Sequence, residues 1–92
     1  MKKYLKNVEM EYIVLDDAET VIHDTETGNI HYVDQISTVI LQQLESPTAL
    51  NDLFAILLEM FDGNENEIKN DTAEFIKEMV QKKIVLEVSC ED

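Results

Sequence analysis

Apolar residues follow two different periods along this chain, and the change falls near residue 34. Before it, short β-branched and aromatic runs are broken by polar clusters. "MEYIVLDD" (10–17) sets Tyr12 and Val14 against Ile13 and Leu15 and ends in two aspartates. "TVIHD" (20–24) is a second such run, and "NIHYV" (29–33) is a third, with His31 and Val33 on one face and Ile30 and Tyr32 on the other. Between them "DTETGN" (24–29) reads as a turn. Asp and Asn can bond their own backbone, and Gly28 supplies the positive φ a hairpin needs.

After residue 34 the spacing becomes helical. Asp34 is placed as an N-cap, followed by Ile36, Val39, Ile40 and Leu44, and Pro47 ends the run by biasing Ser46 away from helical angles. Thr48 is expected to cap a second helix with Leu50, Leu53, Phe54, Leu57, Leu58 and Phe61 on its apolar face. "DGNENE" (62–67) reads as a loop. A third helix is expected from about Glu67 to Lys82, burying Ile68, Thr72, Phe75, Ile76, Met79 and Val80. "IVLEV" (84–88) is a short strand or an extended tail. Strands first and helices after predict an α+β fold, a three-stranded antiparallel sheet followed by three helices. Such a small sheet has two edges, and nothing in the pattern covers both.

Ninety-two residues suit one domain. Charge narrows the partners: twenty acids face seven bases, all lysine, for a formal net charge of −13. Without arginine the chain lacks the bidentate fork that grips phosphate and reads guanine, so neither nucleic acid nor an anionic membrane is an expected partner. No apolar run approaches a membrane span, and "MKKYLKNVEMEY" has no apolar core of a signal peptide, so a cytoplasmic protein is expected.

Candidate chemistry is sparse. His23 and His31 fall near each other across the hairpin with Asp24 adjacent, but a metal needs three or four convergent ligands, so no metal is expected. Cys90, the one cysteine, sits between acids near the end of the chain and reads as an inert thiol. With glycine only at 28 and 63 there is no phosphate loop, and neither catalytic residues nor a cofactor are expected. Glu67, Asp71, Glu74 and Glu78 form an acidic ridge on the third helix. The second and third helices could form a winged helix-turn-helix with 20–33 as the wing, but that ridge would repel phosphate. The same ridge would attract lysine or arginine on a partner that lay against it. Otherwise it is a solvated helix face.

Taken in order, "VIHDTETGNIHYVDQISTVILQQL", "TALNDLFAILLEMF" and "NDTAEFIKEMVQKKIVLE" resemble the PqqD-like family, the peptide-recognition domains of ribosomal peptide natural-product pathways. Gly28 matches the family's turn glycine, and Val33-Asp34 stands where Leu-Asn is usual. Thr48 matches the second cap. Asp71-Thr72 with Phe75, Ile76 and Met79 matches the third-helix signature, with Ile84-Val85 closing it; the match spans about residues 10–87. Ser46-Pro47 replaces a common Asp-Gly, tryptophan is absent, and Lys83 leaves a left-handed helix end without its usual glycine.

The resemblance implies three strands on a winged-helix-like trio of helices. It also implies a non-enzymatic task, binding the leader segment of a precursor peptide and presenting it to a radical SAM enzyme or a leader peptidase. The leader would add as a strand beside 29–33, in a cleft against the third helix. The residues expected there are Ile30, His31, Tyr32 and Val33 on the strand, with Asp71, Glu74, Phe75, Glu78 and Met79 on the helix. Phe75 and Met79, with Ile76, have an equally simple role as core. A nucleic-acid-binding or transcription-regulatory winged helix is the alternative.

Overall fold

The computed structural model describes residues 2–15 and 19–89. Asp16 and Asp17, which end the first predicted run, and Cys90 lie outside the described residues. The elements run β1 (Lys2–Lys6), β2 (Glu11–Leu15), β3 (Glu19–His23), β4 (Ile30–Val33), α1 (Gln35–Gln43), α2 (Leu50–Met60), α3 (Glu65–Gln81) and β5 (Val85–Ser89). The expected α+β arrangement is present: a three-stranded antiparallel sheet in the order β2-β3-β4, then three helices.

A second sheet was not expected. β1 and β5 form a two-stranded antiparallel ribbon from Lys2↔Ser89 to Lys6↔Val85. β1 escapes a pattern search because three of its five residues are lysines. Its other edge is also bonded: Tyr4 and Thr48 exchange two backbone bonds of 2.8 and 3.0 Å, and Lys6 N–H donates to Leu44 O at 2.7 Å. That pairing explains why Thr48 does not cap α2. Its backbone is committed to Tyr4, and its hydroxyl lies back over α1, 3.0 Å from Gln43 O and 2.9 Å from Ser46 O. Ala49 holds the cap position instead, with no side-chain bond.

The other caps set the helices around the sheet. Asp34 caps α1 as expected, its Oδ1 accepting from Ser37 N–H at 2.9 Å. Asn64 accepts from Asn66 and Glu67, so α3 begins at Glu65, two residues before the expected start, with Glu65 and Glu67 in its favourable acidic first turn. At the other end Lys83 adopts φ +62°. Its N–H donates to Val80 O and that of Ile84 to Met79 O, a Schellman closure completed without glycine. Asn7 Nδ2 donates to Lys83 O at 2.8 Å and helps hold this backbone.

The core lies between the inner sheet face and the helices. Ile22, Leu44, Leu53, Leu57 and Ile84 are fully buried, joined by Ile40, Ile76 and Met79. One buried polar relay fixes α1 to β3. Thr38 Oγ1 donates to Asp34 O at 2.8 Å, which leaves Thr20 to donate to Thr38 Oγ1 at 2.8 Å. The end of β4 is thereby tied to the first turn of α1. Tyr12 joins the two sheets, its hydroxyl shared between Asn7 O (2.9 Å) and Ile84 O (3.0 Å). Burial, partly offset by the Asn7 bond, pushes this phenol's pKa up to about 12.

Candidate functional site: an open strand edge facing helix α3

The hairpin dictates which backbone groups of β4 are available. Gly28, at φ +80°, lets its N–H reach Asp24 O at 2.7 Å, and Asp24 Oδ1 accepts from Glu26 and Thr27. Partial burial acts to raise the Asp24 carboxyl. The opposing bonds from Thr27 and Glu26, with His31 nearby, outweigh it and hold the group below the usual carboxylate range. Asp24 N–H then donates to Asn29 O at 2.9 Å. Alternation along an antiparallel ladder makes Ile22–His31 and Thr20–Val33 the mutually bonded pairs. The N–H and C=O groups of Ile30 and Tyr32 therefore point away from β3, into the free edge of the sheet.

Side chains alternate with the same period. Ile30 and Tyr32 project from the outer face, 55% and 73% exposed, where Tyr32 continues the cross-strand row of Ile13 and Val21. His31 and Val33 turn toward the helices and are half-buried. This register also separates the two histidines, because His23 pairs with Ile30 while His31 pairs with Ile22. They face opposite sides of the sheet, and His23 Nδ1 instead meets Glu11 Oε2 at 3.3 Å. No group of three metal-ligating side chains converges among the described residues.

A groove follows the β4 edge. Its central part, about 590 Å³, runs between Ile30–Asp34 and the α3 residues Phe75, Glu78, Met79 and Lys82. A second hollow of about 280 Å³ continues it between α1 and α3, where Asp71 and Glu74 join. The two share Asp34, Ser37, Phe75 and Glu78. At the opposite end, His31 and Lys82 lead into a further hollow of about 750 Å³ under the hairpin turn. All nine residues expected on the strand and third helix thus border one continuous groove. Glu67 of the acidic ridge does not.

Burial divides the helix residues. Met79 is 3% exposed and belongs to the core as well as the groove wall, whereas Phe75 is half-buried. Asp71, Glu74 and Glu78 are exposed, and Glu78 holds Lys82 in an i,i+4 pair at 2.9 Å. Several lining residues were missed by sequence reasoning. Ser37 and Lys82 carried no signal beyond polarity, and Asp34 was visible as a cap and as half of the Val33-Asp34 pair but not as a groove residue. Thr72 was assigned to the buried stripe, and it is buried, yet it also lines the α1–α3 hollow.

Comparison with known proteins agrees with this geometry. The family profile "Coenzyme PQQ synthesis protein D (PqqD)" matches residues 19–85, more than two thirds of the chain. The chain belongs to the PqqD family. Two solved structures share the fold of this PqqD-family protein. One is "TbiB1 in complex with the TbiA(beta) leader peptide", with a TM-score of 0.78 and 16% identity over 96% of this chain and 99% of that one. The other is "Lasso peptide synthetase B1 complexed with the leader peptide", with a TM-score of 0.75 and 16% identity over 90% of this chain and 96% of that one. No curated protein matches the sequence. Among the described residues, no helix is long and apolar enough to cross a membrane.

Proposed function

We propose that this protein is a non-catalytic module that binds the leader segment of a ribosomally made precursor peptide. The leader adds as an antiparallel strand to β4, and the module presents it to a modifying enzyme, such as a radical SAM enzyme, or to a leader peptidase. The observation that carries this reading is the free β4 edge, where the N–H and C=O of Ile30 and Tyr32 open onto a groove walled by α3. Backbone pairing along such an edge supplies affinity that tolerates varied side chains, while the wall selects a few of them. In this role His31, Val33, Phe75 and Met79 form the half-apolar wall, and Asp71, Glu74 and Glu78 set its charge. Family membership and two structural relatives described with leader peptides support the same reading. A nucleic-acid role fits poorly, since the exposed flank of α3 is acidic and the net charge is −13.

Tyr32→Pro is the direct test. It removes an outward-facing donor and leaves the bonded pairs of His31 and Val33 with β3 in place. Candidate leader peptides titrated into isotope-labelled protein should protect the amides of Ile30 and Tyr32 from exchange. The folded Tyr32→Pro variant should bind at least about tenfold more weakly, as expected for loss of one buried hydrogen bond. Equal affinity in a folded variant would rule out pairing at this edge.

A further inference from the structure

The hollow between α1 and α3 has a chemistry of its own. Ile36, Ile40 and Phe75 supply apolar surface, while Asp34, Asp71, Glu74 and Glu78 surround it with carboxylates. Two of those carboxylates are already engaged, Asp34 by the Ser37 N–H and Glu78 by Lys82. Asp71 and Glu74 form no ion pair among the described residues. Thr72 lines the same hollow at 1% exposure, and its Oγ1 has no hydrogen-bond partner among the described residues. Helical threonines commonly bond the carbonyl one turn back, so an orphaned buried hydroxyl is unusual and costs free energy until a partner arrives.

The side chain that answers these features most fully is a long cation, because four carboxylates call for positive charge as well as a donor. An apolar side chain would leave Thr72 without a partner. An acidic one would meet four carboxylates. A long cation can lay its methylenes on the apolar surface and bring its N–H donors to both the carboxylates and the hydroxyl. We infer that the α1–α3 hollow is a socket for one lysine or arginine side chain of the bound peptide, with Thr72, Asp71 and Glu74 as its specificity determinants. The inference rests on antiparallel strand addition to β4, which fixes where in the peptide the base must stand. β4 runs toward Asp34, at the socket, so an antiparallel partner begins there. The base therefore precedes the paired residues in the peptide.

The test is selection from a display library of random peptides on the full 92-residue chain, followed by binding of individual winners. Winners should protect the Ile30 and Tyr32 amides and carry lysine or arginine at one fixed offset on the N-terminal side of the paired run. Replacing that base by norleucine should weaken binding about tenfold, the loss expected for a charge-assisted hydrogen bond. Asp71→Asn with Glu74→Gln should erase the preference. Thr72→Val keeps shape and removes the orphaned hydroxyl, so the variant should be as stable as the parent or more so. It should nonetheless lose several-fold affinity for base-containing winners and none for their norleucine forms. Winners that protect β4 without a positional base, or a Thr72→Val variant indifferent to the base, would overturn the socket and leave strand addition standing. Winners that leave Ile30 and Tyr32 unprotected would overturn both.

Discussion

β1 and β4 are both short flanking strands, yet their backbones are treated in opposite ways. β1 is bonded on both sides, to β5 along one edge and to Thr48 and Leu44 along the other. Among the described residues β4 is bonded on one side only, and its free side faces a groove rather than a covering element. An unpaired edge is a standing risk of unwanted association, and most proteins blunt it. Here two features limit the exposure. β4 is four residues long, and Asp34 ends it at once by starting α1. The acidic flank of α3 also repels further copies of a chain this negatively charged. The lesson is that edge protection can be selective, closing the strand that holds the fold and leaving a short, guarded one open.

Proline separates the two strands most sharply. Tyr4→Pro removes the donor to Thr48 O and places a ring inside a doubly bonded strand, so it should cost about 3 kcal/mol or more in denaturant unfolding. That is a large part of the roughly 5–15 kcal/mol available to a domain of this size. The next effect concerns the joint between the sheets. Tyr12→Phe should cost about 1–2 kcal/mol, since Asn7 O and Ile84 O each keep another donor, Met10 and Asn7 N–H respectively. It should also change the alkaline response. Folding holds the Tyr12 proton more tightly than the free phenol's 10.0, so its contribution is complete below that pH and fades as pH rises toward about 12. A difference curve of unfolding midpoint against pH, parent minus Tyr12→Phe, should fall over that interval; a flat one would mean the hydroxyl is not held. The smallest effect belongs to β4: Tyr32→Pro should change stability by no more than about 1 kcal/mol, because its N–H points away from β3 and has no partner among the described residues. If Tyr4→Pro and Tyr32→Pro destabilise equally, the contrast between a closed and an open edge is wrong.

Periodicity was enough for β3, β4 and the helix cores, because half-burial writes a strong signal in both periods, whereas β2 was legible from its β-branched and aromatic run, since Ile13, Val14 and Leu15 are all exposed. Asp34 and Gly28 were legible for the same reason that they work, as each has a local backbone demand that few residues meet. What stayed hidden depended on distant contacts. β1 looks like a lysine-rich leader because its partner lies at the far end of the chain, and Thr48 looks like a cap until Tyr4 claims its backbone. Lys83 shows the limit of residue preference. Tertiary bonds from Asn7 and the closing turn hold a left-handed lysine where sequence alone asks for glycine. The nine groove residues were placed together by the family resemblance, which set the third strand beside the third helix; spacing supplied only the face each residue takes within its own element. Opposite faces for His23 and His31 followed only from register, which no local pattern contains.

The ribbon also sets a timetable. The β3–β4 hairpin closes over six intervening residues, Asp24 to Asn29, whereas β1 and β5 must find each other across almost the entire described chain. Loop-closure entropy and contact order both favour the local pairing as the earlier event. In pulse-labelled refolding, amides shared by β3 and β4 should gain protection first and those of β1 last; simultaneous protection would contradict this order. A chain leaving the ribosome would then hold a formed open edge before its two ends are clasped.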